Sequence, residues 1–474
     1  MGAVTDSPGP EWKTLSERLE SVGQSHLLRF ADELDAAARR VLIDEVSGID
    51  FEQIGRLWER SQQRPEEDDL AVSGGTLSFE PPPTCSWEPD DWQLKEAGEA
   101  ALRAGQVGVL LVAGGQGTRL GFPHPKGLFP LGPLSQRTLF QILVDRIRAV
   151  RARYGASLPL WILTSRATDA ATRAYFSRHD YLGLPAEDVI FFQQGSMPAV
   201  DARTGKVLLE SKGHVALSPN GHGGVLAAWR DSGELHAAAE RGVQTIFYGQ
   251  VDNPLLPIAD PALIGRHRLE QCDVTSLAVE KRSPDERVGL FMQTGGHIHV
   301  IEYSDLPDAL AHARDPDGRL RYRSGSIAVH LFDRSFLERQ ATAADALPYH
   351  AARKKVPYID ASGKRIEPEE PNAIKFERFI FDLLPHARRA LVVDVPREET
   401  FAPVKNAEGA AADSPSTSRA AIVAQARRWL EAAGARVDPA ALVEINPCWA
   451  LDTEEVARRI EPGRVIATDT YFAP

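Results

Sequence analysis

Gly114, Gly115 and Gly117 are followed by Arg119 and then by Lys126 in the run Val-Ala-Gly-Gly-Gln-Gly-Thr-Arg-Leu-Gly-Phe-Pro-His-Pro-Lys, residues 112–126. Glycines let a backbone turn sharply and come close to a ligand. Successive amides in such a turn form an anion-binding concavity, and Arg119 and Lys126 bring two fixed positive charges to it. The chemistry this suits is the holding of a polyphosphate. A dinucleotide fingerprint needs G-x-G-x-x-G, whereas here the glycines fall as G-G-x-G-x-x-x-G. A P-loop needs G-K-[ST], and here the lysine stands in Pro125-Lys126-Gly127. A bare strand–helix turn would have no need of the two cations. Further along, Asp252 follows the apolar run Thr245–Gln250. A carboxylate at the end of a strand beside a phosphate site is placed to hold Mg²⁺ through hard oxygens, with capping of a turn as its other use.

These residues need a scaffold of alternating strands and helices. Val107–Val112 is an unbroken apolar run and is expected as a buried strand leading into the glycines. Leu139–Arg153 is expected as a helix, Leu160–Leu163 as a strand and Ala167–Arg178 as a helix. Val189–Phe192 follows as a strand, Gly223–Ala239 as a helix and Thr245–Gln250 as a strand. The alternation predicts an α/β fold with a mixed, mainly parallel sheet flanked by helices. Upstream, Leu15, Leu19, Val22, Leu27, Leu28, Phe30, Leu34 and Ala38 keep roughly helical spacing within residues 11–63. Residues 64–94, with Pro81-Pro82-Pro83, are expected to be a surface linker, and residues 407–418 a mobile loop. The expected division is an N-terminal helical region and linker (1–98), a catalytic domain (99–390) and a small C-terminal α/β segment (391–474).

A chain of 474 residues exceeds one typical core. Its net charge of −12 leaves no broad basic surface for nucleic acid or an anionic membrane, so a nucleotide would need a local pocket. Cys85, Cys272 and Cys448 are too scattered for a disulfide framework or a zinc site, which fits a reducing compartment. The first residues, Met-Gly-Ala-Val-Thr-Asp-Ser-Pro, lack the basic and apolar regions of a signal peptide. No apolar stretch is long enough to span a bilayer. A cytoplasmic protein is expected.

The glycine-rich segment resembles the signature of the sugar-nucleotide pyrophosphorylases, L-A-G-G-x-G-T-R-L-G followed by P-K, with Val112 in place of the first leucine. Further motifs narrow the resemblance to the eukaryotic-type UDP-N-acetylhexosamine pyrophosphorylases. They are Phe191-Phe192-Gln193-Gln194-Gly195, Ser218-Pro219-Asn220-Gly221-His222-Gly223-Gly224, Tyr248-Gly249-Gln250-Val251-Asp252-Asn253-Pro254, Pro371-Asn372-Ala373-Ile374-Lys375-Phe376-Glu377 and Phe401-Ala402-Pro403-Val404-Lys405-Asn406. The resemblance implies a Rossmann-like (GT-A-like) nucleotidyltransferase fold and formation of a UDP-sugar and pyrophosphate from UTP and a sugar 1-phosphate.

It also implies residue roles. Val112, Ala113 and the amides of Gly114, Gly115, Gly117 and Thr118 would hold the nucleotide. Gln194 would read uracil, whose mixed edge suits an amide that both donates and accepts, and Gly221 would let the base lie against the backbone. Arg119 and Lys126 are assigned to the leaving phosphates, Lys405 to the attacking phosphate and Asp252 to Mg²⁺. On the sugar side Gly289 and Glu302 would meet hexose hydroxyls, a task suited to a carboxylate. Phe379 and Phe381 would shape the sugar pocket or serve equally as core aromatics. Two positions depart from the pattern. His222 stands where the family usually has Asn, as in the G-H-G turn of UDP-glucose pyrophosphorylases, and Ser326 replaces an expected Asn. Overall similarity favours N-acetylglucosamine 1-phosphate, while His222 and Ser326 keep glucose 1-phosphate or a broader hexose range open. A glycosyltransferase would usually carry D-x-D where this chain has Val251-Asp252-Asn253, and a silent nucleotide-sugar sensor would not need the four charged residues.

Overall fold

The computed structural model describes residues 10–63, 79–343 and 347–474. The N-terminal octapeptide and the first part of the expected linker, residues 64–78, therefore lie outside the described residues. The chain divides into two compact units that interleave along the sequence.

The larger unit comprises Ser78–Gln194, Val225–Ala346 and Ile380–Pro474. Its sheet runs, from one edge, Thr84–Ser86, Ala390–Asp394, Val274–Glu280, Ser324–Asp333, Thr245–Gln250, Val107–Val112, Leu160–Thr164 and Val189–Gln193. All neighbours are parallel except for Ser324–Asp333, which is antiparallel to both of its partners. A hairpin, Leu290–Thr294 and His297–Ile301, joins this sheet off the main path. The mixed, mainly parallel expectation holds. Val107–Val112 is continuously apolar because it is the central strand, buried on both faces.

Local chemistry sets the helix ends. Thr138 and Gln141 close a capping box at the start of Leu139–Tyr154, and Gly155 ends that helix in the left-handed region. Leu139, Phe140, Leu143, Val144, Ile147 and Val150 form its buried face. Fully burying such side chains stabilises by about 1.5–3 kcal/mol each before entropy is counted.

Four expectations need correction. Thr84–Ser86, placed in the linker, is the sheet's edge strand, and a helix starts at Trp92 behind its Asp91 cap. Gly223–Ala239 is not one helix, because Gly233, at φ 79, separates Val225–Asp231 from Glu234–Glu240. The expected loop at 407–418 ends early, at Ser414, which caps an 18-residue helix, Pro415–Ala432. Proline is tolerated at its first position because that amide needs no partner within the helix. Ala167–Arg178 begins at Asp169.

Beyond that helix, two parallel strand pairs, Arg436–Val437 with Val465–Ile466 and Val443–Ile445 with Thr470–Phe472, build a small core around Leu430, Val456 and Phe472. This segment is tied to the Leu139–Tyr154 helix through Asp145. That buried carboxylate accepts from Asn446 Nδ2 at 2.9 Å and pairs with Arg137 and Arg148.

The smaller unit comprises Met1–Leu77, Gly195–Gly224 and Leu347–Phe379. Helices Pro10–Ser21, Ala36–Ser47 and Phe51–Gln62 supply Leu15, Leu19, Leu42, Val46 and Ile54 to a core shared with Val200, Val215, Ile374 and Phe376. Leu27 and Phe30, from the expected helical pattern, join it from short 3-10 turns and their flanks, whereas Val22 is exposed.

Candidate active site

In an open α/β sheet, ligands bind at the carboxyl ends of strands where the strand order reverses. Here that point lies between Val107–Val112 and Thr245–Gln250, since the order runs outward from this pair in both directions. Val112 pairs with Gln250, and Val251 N donates to Val112 O at 3.0 Å. The glycine loop and Asp252 therefore leave the sheet side by side.

The loop is held by few of its own atoms. Lys126 N donates to Gly115 O and Gly117 N to His124 O, folding 115–126 back on itself. Ser165 Oγ donates to Gly114 O at 2.8 Å. Among the described residues, the amides of Gly114, Gly115, Gln116, Thr118 and Arg119 have no protein acceptor. Nothing lies within 4 Å of the place a Cβ would take at Gly115. Free amides beside open space form an anion-binding nest. A Cβ at Gly114 would stand 2.7 Å from Gln194 Oε1, so only glycine lets that amide approach this backbone. Gln194 is buried, and its side-chain amide makes no hydrogen bond among the described residues.

Lys126 Nζ lies 3.1 Å from Asp252 Oδ2, with both side chains largely buried. Arg119 is exposed and forms no ion pair among the described residues. Lys405 reaches the same surroundings through the backbone. Val404 N donates to Asp252 O at 2.9 Å, and Lys405 N to Asp413 O at 2.7 Å. The Lys405 ammonium lies over the Phe401 ring at 5.4 Å, a favourable cation–π contact. Burial pushes the Asp413 carboxyl up from its ordinary range, Lys405 and Arg397 pull it down, and Asp252 pushes it further up.

The sequence reading missed Asn253. It is buried, donates to Thr400 O at 2.7 Å and accepts from Ala402 N at 3.1 Å, locking the strand end carrying Asp252 to the segment carrying Lys405. An asparagine directly after a strand-end aspartate was the available signal, since an amide can bridge two backbone segments.

Three sugar-side expectations come together at the hairpin. Ser326 N donates to Gly289 O at 2.8 Å, and a Cβ at Gly289 would lie 3.1 Å from Glu302 Oε1. Phe381 is buried in the 3-10 turn Ile380–His386 of the same unit.

Gly221, His222 and Phe379 belong to the smaller unit. Gly221 sits at φ 83, where a Cβ would meet Arg378 O at 2.3 Å. Arg378 N donates to Asn220 O and Gly223 N to Arg378 O, which binds this turn to the end of the Ala373–Glu377 strand. The His222 ring lies 5.3 Å from Phe379, and His350 covers Phe379 at 4.7 Å. Burial, with the neighbouring His350, holds the His222 imidazole down at about 4, so it is neutral near pH 7.

No cluster of three or more His, Cys, Asp or Glu able to hold a metal occurs among the described residues. Asp252 offers one hard-oxygen donor at this strand end. It suits an ion such as Mg²⁺ that retains waters and takes its remaining ligands from a phosphate. Among the described residues, no helix is long and apolar enough to cross a membrane.

Comparison with known proteins identifies the family and the fold. The family model described as UTP–glucose-1-phosphate uridylyltransferase (UDPGP) matches residues 79–455. The chain is 37% identical over 469 residues to UDP-N-acetylhexosamine pyrophosphorylase-like protein 1 of Homo sapiens, covering 91% of each. It is 38% identical over 366 residues to UDP-N-acetylglucosamine pyrophosphorylase of Saccharomyces cerevisiae, covering 76% of each. The crystal structure of the uridine diphosphate N-acetylglucosamine pyrophosphorylase of Trypanosoma brucei superposes with a TM-score of 0.81 at 28% identity, covering 99% of each chain. A UDP-glucose phosphorylase from the same organism shares the fold, with a TM-score of 0.59 at 17% identity over 80% of this chain and 76% of that one. Sequence, sheet topology and family match agree: the chain belongs to the UDPGP family and is an enzyme of the UTP:sugar-1-phosphate uridylyltransferase class.

Proposed function

We propose that the enzyme joins UTP to N-acetylglucosamine 1-phosphate, releasing pyrophosphate and forming UDP-N-acetylglucosamine. The observation carrying this reading is the Lys126–Asp252 pair at the reversal point of the sheet, beside a loop of unpartnered amides. The choice of sugar draws on relatives named for UDP-N-acetylglucosamine or N-acetylhexosamine.

The attacking sugar phosphate is already an anion, so the reaction needs no general base. Rate enhancement comes from positioning and charge neutralisation, as in other phosphoryl-type transfers. The amides of Gly114, Gly115, Gln116 and Thr118 hold the nucleotide phosphates, whereas the Gly117 amide, expected among them, is taken by His124 O. Arg119 and Lys126 take up the charge of the departing β,γ-phosphates. Lys405 steadies the attacking phosphate on the other side of the α-phosphorus. Gln194 pairs with uracil; Gly221 keeps only the role that the resemblance assigns to it. Of the residues that the resemblance assigns to the sugar, Gly289, Glu302, Ser326 and Phe381 lie in the larger unit and His222 and Phe379 in the smaller. Asp252 would hold Mg²⁺, which when bound supplies further neutralisation of phosphate charge.

His222 and Ser326 support a second reading, a UDP-glucose or broad-range UDP-hexose pyrophosphorylase. The test is pyrophosphate release from Mg²⁺, UTP and a panel of sugar 1-phosphates. Preference for N-acetylglucosamine 1-phosphate supports the first reading, and preference for glucose or galactose 1-phosphate the second. Silence across the panel overturns both.

A further inference from the structure

The Pro415–Ala432 helix plays no part in the mechanism above, yet it touches the backbone beside both of the lysines invoked there. Ser418 is buried, and its Oγ donates to Pro403 O at 3.1 Å, two residues before Lys405. The next residue, Arg419, donates from Nη2 to Pro130 O at 3.0 Å, four residues after Lys126. Each contact meets a stiff piece of chain. Leu128 N donates to Pro125 O and Phe129 N to Lys126 O, so Lys126 and Pro130 flank one hydrogen-bonded turn. On the other side, Val404, between Pro403 and Lys405, is bonded to Asp252 O.

The helix is itself rigid at this end. Ser414 and Thr417 form a capping box directly before Ser418. Its far end is anchored by Leu430 in the C-terminal core. The loop from Lys405 closes onto the same cap, with Lys405 N and Asn406 N both bonded to Asp413 O. Arg419 also approaches Glu408 of that loop at 3.7 Å.

We infer that Ser418 and Arg419 are positioning residues that fix the separation of Lys405 and Lys126, and so the line along which the phosphoryl group transfers. This rests on the proposed reading, in which those lysines serve the attacking and leaving phosphates. In-line displacement requires the two charges on opposite sides of one phosphorus. A misplacement of about 1 Å costs on the order of 100-fold in such geometry.

The test is a crossed double-mutant cycle on the full-length enzyme, measuring single-turnover formation of UDP-sugar with Mg²⁺, UTP and the preferred sugar 1-phosphate. Arg419→Met and Ser418→Ala are each expected to lower turnover by about 10-fold or more with little change in KM for UTP. In a Lys126→Ala background, Arg419→Met should cost little more, while Ser418→Ala keeps its full cost. In a Lys405→Ala background the pattern should reverse. Arg419→Lys, which keeps a donor for Pro130 O, should recover most of the turnover, and it carries the test if Arg419→Met does not fold. Costs that multiply in every background, or wild-type turnover in both helix variants, would overturn the inference. If Lys126→Ala and Lys405→Ala themselves turn over normally, it is the proposed reading that falls.

Discussion

The Lys126 ammonium and the Asp252 carboxylate close an ion pair at 3.1 Å between residues 126 positions apart, each at the mouth of a neighbouring central strand. A cation bound by Asp252 therefore meets Lys126 already on one carboxylate oxygen. The two compete for the same charge.

That competition can be measured. Lys126→Met should lower turnover by about 100-fold or more, as loss of one charge-stabilising donor does elsewhere. The same variant should reach half-activation at a lower Mg²⁺ concentration, because Asp252 loses its resident partner. Asp252→Asn should do the opposite and raise the Mg²⁺ requirement by about 10-fold or more, because an amide is a far poorer ligand than a carboxylate. Mg²⁺ titrations of initial rate read both. Equal Mg²⁺ dependence in all three proteins would remove Asp252 from the metal site.

Among the described residues Arg119 has no ion-pair partner, so its replacement separates function from folding. Arg119→Ala should leave the melting temperature within a degree or two, since surface changes away from special features stay within about 0.5 kcal/mol. Turnover should nevertheless fall by about 100-fold. An unaltered rate would show that this guanidinium does not meet the leaving phosphates.

Gly114→Ala probes the approach of Gln194 to the loop. Its new Cβ would press on the end of a side chain, not on backbone, so the fold should lose less than about 1 kcal/mol. Displacing the amide from the nucleotide pocket should raise KM for UTP by about 10-fold or more, the cost of one lost hydrogen bond to the base. Steady-state kinetics at varied UTP would read the change.

Much of this site was legible along the chain, and the rest fails for identifiable reasons. Val107–Val112 announces itself because a doubly buried strand has no polar positions to interrupt it, and Thr245–Gln250 because its Thr and Gln stand only at its ends. Thr84–Ser86 cannot, since three residues show no period and its partner lies near residue 392. The first turn of the Pro415–Ala432 helix was hidden by an Ala- and Ser-rich composition, although Ser414 followed by Pro415 is a helix-start signal. The Lys126–Asp252 pair and the Asn253 clamp depend on which strands become neighbours, and no local pattern encodes that.

Stability should fall on acidification in a defined window. His222 and His267 are both held down at about 4 by burial, against an ordinary value of 6.5. Between those values the unfolded chain binds protons that the folded chain refuses, so stability is full above about 6.5 and declines as pH drops toward 4. His267 is almost wholly buried, and its share is on the order of 3 kcal/mol. Urea denaturation from pH 7 to pH 4 should show the loss, and His267→Gln should flatten it. A wild-type midpoint that does not move across that range would contradict the assignment.

His222 and Ser326 carry the remaining question of sugar choice. If they narrow or broaden the hexose range, His222→Asn combined with Ser326→Asn should shift the ratio of kcat/KM for N-acetylglucosamine over glucose 1-phosphate by about 10-fold or more. KM for UTP should stay constant. An unchanged ratio would free both positions from specificity.

Among the described residues, the edge strand Thr84–Ser86 pairs only with Val392–Asp394, some 300 residues later in the chain. During synthesis this strand must wait, unpaired, until its partner at Val392–Asp394 has emerged. Such distant pairing makes for slow folding and a long exposure to aggregation. The order in which the ribosome releases the chain therefore leaves this enzyme's sheet open on one side until that distant segment appears, and a nascent chain stalled before residue 392 would be a target for chaperones.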